Sequence, residues 1–220
     1  MFKPSEYLIV DIATTAIAGA DAYVEEPSAP SNYRDEAKIA AYIAEAKAKA
    51  IDKCALDADL GRVTAIGVGG YDFMSIELCR DEDAERVQLE WLAEEIRAKS
   101  IVTFNGSKFD LPFLVRRALY LGVDLQIDLD RYRSPHVDLY EILTNRGQFG
   151  GHSLGFYVKR MGWTDLTKVL SGAEEARVPE TGQWLELQQS VAHDLIATRR
   201  MATWMRLIPE PVRETREAVA

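Results

Sequence analysis

Residues 6–12, Glu-Tyr-Leu-Ile-Val-Asp-Ile, form a short apolar run that closes on an acidic side chain. Such a run reads as a buried strand with Asp11 at its carboxyl end, and a buried strand requires further layers packed around it. The remaining segments offer them in order. A loop rich in Ala, Pro and Ser covers about 16–32, and 33–56 is dense in Ala, Glu and Lys, with Ile39, Ile43 and Ile51 at near-helical spacing. Two β-like runs, 62–70 and 72–79, flank a Gly69-Gly70-Tyr71 turn and predict a hairpin. Residues 81–99 start acidic, end basic and carry Val87, Trp91, Leu92 and Ile96, which predicts an amphipathic helix.

A third buried strand is predicted at 100–104, closed by Asn105-Gly106, and a helix from near Phe109 to a stop at Gly122. Residues 136–143 read as a strand, 152–162 as a short helix, 163–183 as irregular, and 184–207 as a long final helix. The order indicates one α/β domain over 1–208 with a mixed β-sheet flanked by α-helices, a helical insertion at 14–60 after the first strand, and a tail at 209–220. At 220 residues the chain is short for two ordinary domains.

Bulk properties narrow the function classes. No apolar run approaches the roughly 18 residues needed to span a bilayer, and the start, MFKPSEYLIVDIA, lacks a signal-peptide pattern, so a cytoplasmic protein without membrane partners is expected. The two cysteines, Cys54 and Cys79, have no metal-ligand spacing. With 26 basic against 35 acidic residues, the net charge of −9 argues against a protein that coats nucleic acid through a basic face. It leaves room for an enzyme that meets a polyanion through divalent metal held by carboxylates.

Three acidic residues stand where such ligands would stand. Asp11 ends the first strand, Asp110 sits in FNGSKFDLPFL at a helix entry, and Asp194 lies in the last helix, in SVAHDLIATRR. Each has a plainer reading, as a strand end, a helix N-terminal residue or a solvated side chain. Their joint occurrence is the stronger signal, since carboxylates in such a set can hold two hard cations about 3.5–4 Å apart.

The spans YLIVDIATT, IVTFNGSKFDLPFLVRRA, SPHVDLYEIL and HDLIATRR resemble the DEDD-type 3′–5′ exonucleases, and more closely predicted exonucleases related to the proofreading domain of family B DNA polymerases. The resemblance covers roughly 6–206, and its most specific piece is NGSKFDLPFL. It implies a ribonuclease H-like fold, a two-metal site loaded with Mg²⁺ or Mn²⁺, and cleavage of single-stranded DNA or RNA from the 3′ end. It also implies roles: Asp11 as the ligand bridging both metals, Asp110 on the second and Asp194 on the first.

Two positions depart from the family pattern. The first motif normally reads Asp-x-Glu, and here Asp11 and Ile12 are followed by Ala13. Residues two apart on a strand share a face, so the missing carboxylate would have shared the site, and its loss weakens one metal position. The third motif normally carries Tyr or His four residues before its aspartate, to orient the attacking water. Here that residue is Ser190, on the right helix face but short and a poor base. His193, adjacent to Asp194 but about 100° round the helix, is a weaker substitute. Two explanations stand: a catalytic glutamate replaced by alanine, which impairs the activity of this chain, or a non-catalytic pseudo-nuclease that binds ends.

Secondary candidates complete the list. Asn105, Lys108, Phe109, Arg131 and Arg133 are candidates for nucleic-acid contact, with Lys159 and Arg160 as further basic residues. Phe104, Phe109, Phe113 and Tyr132 could stack on bases, although Phe109 and Phe113 at i,i+4 are more often core. His136 and Asp138 form a possible metal pair, against which a buried, hydrogen-bonded Asp138 is the stronger reading. The acidic helices 33–56 and 81–99 are a candidate protein-docking surface, a function from a different class.

Overall fold

The computed structural model describes residues 2–130 and 133–210. In chain order the elements are β1 (Tyr7–Ala16), α1 (Glu36–Cys54), β2 (Gly61–Gly69), β3 (Met74–Leu78), α2 (Glu82–Glu95), β4 (Ser100–Thr103), α3 (Asp110–Leu121), β5 (Val137–Asp138), α4 (Leu139–Leu143), α5 (Leu154–Arg160), α6 (Gly172–Glu175), α7 (Val178–Thr181) and α8 (Trp184–Trp204). Single 3₁₀ turns occupy Pro4–Glu6 and Ala20–Tyr23. The strands form a mixed sheet in the order β3-β2-β1-β4-β5, antiparallel from β3 to β1 and parallel from β1 to β5.

β1 lies at the centre and is buried on both faces, as its apolar run predicts. Pairing of Thr14–Ala16 with β2 carries it on to Ala16, so Asp11 is mid-strand rather than at the carboxyl end, and the insertion starts after 16, not at 14. Alternation along the strand sorts its side chains into two layers. Leu8, Val10 and Ile12 pack with Leu89 and Leu92 of α2 and Leu111, Phe113 and Leu114 of α3. Tyr7, Ile9 and Ala13 pack on the other face with Leu187, Val191, Leu195 and Met201 of α8. Asp11 belongs to this second series, so the strand itself directs its carboxylate to the α8 side. Aspartate caps fix two helix starts: Asp35 accepts from Ala37 and Lys38 at α1, and Asp81 from Ala84 at α2. Gly122, at φ +70°, ends α3 in the left-handed conformation that glycine adopts without strain.

Close approach of α8 to the sheet depends on Gly67, the cross-strand partner of Asp11. A Cβ at Gly67 would stand 2.5 Å from Val191 Cγ1 and 2.8 Å from Leu195 Cδ1. Gly67→Ala is therefore expected to lever α8 off the sheet beside Asp11 and cost about 1–3 kcal/mol of stability, read in urea unfolding. An unchanged midpoint would mean that α8 tolerates the shift.

Three other stretches differ from the sequence-based expectation. Of the strand predicted over 136–143, only Val137–Asp138 pair in the sheet, because the Asp138 side chain accepts from Tyr140 N (2.9 Å) and starts α4. The irregular 163–183 contains α6 and α7. The last helix ends at Trp204, three residues short of the predicted 207. Of the tail, 211–220 lies outside the described residues, as do Arg131 and Tyr132. Among the described residues no helix is long and apolar enough to cross a membrane.

Candidate active site

The three aspartates approach each other from three elements. Asp11 is half-buried on β1, Asp110 is buried as the first residue of α3, and Asp194 is half-buried on α8, one turn beyond Ser190. Asp110 Oδ1 accepts from Ile12 N at 3.2 Å, which ties the start of α3 to β1 next to Asp11. The turn between β4 and α3 is clamped from β5. Asp138 accepts from Asn105 N (2.8 Å), Ser107 N (3.0 Å) and Ser107 Oγ (2.6 Å), and Gly106 N donates to Thr103 Oγ1 (3.0 Å). Asp138 is thus a buried, hydrogen-bonded structural residue, and His136 meets Thr103 Oγ1 at 2.8 Å rather than facing the aspartates.

Other predicted residues fall as follows. Asn105 is half-buried with φ +66°, and Lys108 is exposed, its ammonium 5.4 Å over the Tyr140 ring. The Phe109 ring packs against Phe113 (5.5 Å) and the α2–α3 core layer, as i,i+4 spacing predicts for core aromatics. Arg133 pairs with Asp130 at 3.2 Å. Ser190 is fully buried, and its hydroxyl donates to Glu175 Oε1 at 2.6 Å, so it is engaged by a carboxylate instead of open to a water. His193 Nδ1 lies 2.8 Å from Thr167 O; a carbonyl only accepts, so Nδ1 carries the proton and Nε2 remains as the second ring nitrogen.

The 163–183 stretch adds two residues that the sequence reading did not single out. Lys168 Nζ is 3.3 Å from Glu175 Oε1 and 3.4 Å from Asp194 Oδ2, one ammonium between two carboxylates. Both belong to the surroundings of Asp11, whose proton affinity they influence. A local signal for Glu175 was present: Ser171 and Glu174 form a capping box, the pattern that marks a helix N-terminus. No pattern pointed to Lys168. It lines, with Lys159, Trp163, His193 and Asp194, a cleft of about 360 Å³ between α5 and α8.

Electrostatically the site is a set of carboxylates that resist sharing their charge. Asp11 is raised well above the usual carboxylate range, first by burial and then by Asp194, Asp110 and Glu175, with Lys168 opposing. Burial raises Asp194 and Glu175, and Lys168 partly offsets both. Asp110 is pushed up to about 7, chiefly by burial, with Asp138 and Asp194 adding to it and the amide hydrogen bonds from its own N–H and Ile12 opposing.

A carboxyl whose folded value lies above its unfolded 3.8 contributes stability that is complete below that unfolded value and is lost as pH rises through about 7. Asp110→Asn keeps the acceptor for Ile12 N and removes the charge. In metal-free buffer it is expected to melt several degrees above the parent at pH 8, a gain of about 1–3 kcal/mol, with the gap closing by pH 5. A gap independent of pH would contradict this origin.

The donor chemistry fits hard divalent cations, which take carboxylate oxygens. As the side chains stand, no group of three His, Cys, Asp or Glu among the described residues is arranged to hold an ion. The Lys168 ammonium already lies between two of the candidate donors.

Comparison with known proteins agrees with this architecture. No curated protein matches the sequence. The structure is similar to that of the family B DNA polymerase from the hyperthermophilic archaeon Pyrobaculum calidifontis, with a TM-score of 0.61 and 18% identity, over 91% of this chain and 24% of that one. The chain thus spans about a quarter of that polymerase's length, and at this identity the likeness is one of fold. The family model of the RNase_H superfamily matches residues 52–201, from the end of α1 to α8. The central mixed sheet, its flanking helices and this match together place the chain in the RNase_H superfamily, with a ribonuclease H-like α/β fold.

Proposed function

We propose that the chain is a metal-dependent 3′–5′ exonuclease acting on single-stranded nucleic-acid ends. The observation that carries the reading is the approach of Asp11, Asp110 and Asp194, from the middle of β1, the start of α3 and α8, on one side of the central strand. Membership of a superfamily of nucleases supports a phosphodiester-cleaving reaction. Mg²⁺ or Mn²⁺ bound to such a set would polarise a water and a phosphoryl oxygen. The aspartates would hold the ions, Asp11 and Asp194 on one and Asp11 and Asp110 on the other, in the roles that the exonuclease resemblance gives them.

The chain's own residues would do the rest of the positioning. Lys159, along the cleft wall, and exposed Lys108, in the turn that begins at Asn105, offer cations to a phosphate backbone, whereas Arg133 is engaged by Asp130. A local basic lining of this kind is compatible with the net charge of −9, because the contacts are short-range.

The test is a 5′-labelled single-stranded oligonucleotide incubated with Mn²⁺ or Mg²⁺. A ladder shortened one nucleotide at a time from the 3′ end is expected, while a 3′ label should leave at once as mononucleotide. A second reading, binding of ends without cleavage, is favoured by Ala13 and by the ammonium of Lys168 between Asp194 and Glu175. Retention of the strand in a gel shift with no ladder in either metal would establish that reading and overturn the first.

A further inference from the structure

We propose that Glu175 supplies the carboxylate that the first motif lacks at position 13, and that the Lys168 ammonium balances Glu175 and Asp194 in the metal-free protein, competing with a divalent cation for them. The inference rests on the metal-dependent reading above and deepens it. It also turns two separate departures from the family pattern into one rearrangement.

Ala13 shares the face of Asp11 and is buried against the layer that contains Val191. Ser190, the neighbour of Val191, is fully buried with its hydroxyl 2.6 Å from Glu175 Oε1. A Tyr or His ring at 190 would overlap the place where the Glu175 carboxylate now lies. Small residues at 13 and 190 leave the α8 side of β1 open, and the Glu175 side chain enters it from α6. A carboxylate that arrives from another element can serve the same ion, because a hard cation selects oxygen donors and their positions, not their order in sequence.

Glu175 is held there by more than its own contacts. Thr15 Oγ1, two residues beyond Ala13, donates to Ala176 O at 2.5 Å and fastens the end of α6 to β1. A break in register between Ala13 and Thr14 separates this stretch of β1 from the stretch that bears Asp11. On the far side, Arg177 pairs with Asp52 of α1 at 3.1 Å. The short helix is thus fixed between the sheet and the insertion, and a rigidly supported ligand is what a metal site requires.

Lys168 is the second part of the inference. An ammonium 3.3 Å from one carboxylate and 3.4 Å from another is a cation placed between two would-be ligands. If it only pinned the 163–183 stretch to α8, removing it would loosen the fold and leave metal affinity alone or lower it. If it competes with metal, removing its charge tightens metal binding.

Mn²⁺ is titrated calorimetrically into the full chain, its Asp194→Asn, Glu175→Gln and Lys168→Met variants, with a thermal melt of each. Binding by the parent is expected, with Glu175→Gln weakening it at least tenfold, close to Asp194→Asn, and Lys168→Met tightening it at least threefold. Glu175→Asp, which keeps the charge on a shorter arm, should fall between parent and Glu175→Gln and serves if the glutamine variant does not fold. Binding that is lost in Asp194→Asn but unchanged in both Glu175 variants would overturn the inference and leave the metal-dependent reading standing. Unchanged or weaker binding in Lys168→Met would overturn the competing role. No Mn²⁺ binding by either the parent or Lys168→Met would remove the metal-dependent reading itself.

Discussion

Replacing Asp11 by asparagine is expected to slow nucleotide release by about 10²–10⁴-fold while raising the melting temperature of the metal-free protein. Both effects have one source. Asp11 sits where burial, Asp194, Asp110 and Glu175 all oppose its charge, and Lys168 favours it. Its folded value therefore lies above its unfolded one, so its contribution to stability is lost as pH rises through that folded value. Asparagine removes this penalty at neutral pH and with it the charge that the proposed metal chemistry uses. A site that is costly to the apo fold and indispensable to the reaction is the usual form of the trade between stability and activity. The check is a pair of measurements on one variant: initial rates on a labelled single strand with Mn²⁺, and melting curves in chelator at pH 5 and pH 8. Full activity in Asp11→Asn would remove Asp11 from the proposed chemistry, and a lower melting temperature at pH 8 would contradict the electrostatic account.

The second large effect lies on the other face of the sheet. Arg117 of α3 and Glu85 of α2 form a two-pronged pair, Nε to Oε1 and Nη2 to Oε2, both at 2.8 Å, with side-chain exposures of 4% and 0%. Glu85 Oε1 also accepts from Val63 N of β2 at 2.9 Å, so one carboxylate joins two helices to a strand. Glu85→Ala would strand a buried guanidinium, left with only Glu82 at 2.9 Å, and an amide N–H without its acceptor. The expected cost is about 3–5 kcal/mol, which would leave many domains of this size barely folded. Because much of that cost is the unpaired arginine, Glu85→Ala with Arg117→Met should be more stable than Glu85→Ala alone. Urea unfolding of the three proteins decides it. A double variant no more stable than the single would show that the lost amide contact, not the stranded charge, dominates.

The fold was legible wherever periodicity extended over several residues. The existence of a buried first strand, the hairpin of β2 and β3, and the step from β4 into α3 follow from patterns that physical rules read directly, while the extension of β1 past Asp11 to Ala16 rests on pairing with β2. Legibility failed where a single side chain decides the outcome. Asp138 ends a strand after two residues by capping a helix, and nothing in the apolar spacing of 136–143 announces that contact. Short helices such as α6 and α7 have no period to detect, and their local signs are single residues, the Ser171–Glu174 box at α6 and Pro179 with Gly182 at the two ends of α7. Glu175 escaped for that reason, and Lys168 because it lies outside any regular element. The pairing of Glu85 with Arg117, 32 residues apart, escaped because it exists only once the α2–α3 layer is assembled.

The placement of α8 at the end of this series of elements has a consequence for assembly during synthesis. The face of β1, β2 and β3 that carries Tyr7, Ile9 and Ala13 is covered by a helix translated more than a hundred residues after those strands. Until that helix emerges from the ribosome, half of the central sheet has no apolar cover, and Asp11 stands apart from Asp194 and Glu175. A dissolved cation therefore has little purchase on the nascent chain, and the pairing of distant segments, rather than ion capture, sets when the site comes into being. Chains interrupted before residue 184 should be recognised by folding factors as sticky sheets, whatever the ionic composition of the medium.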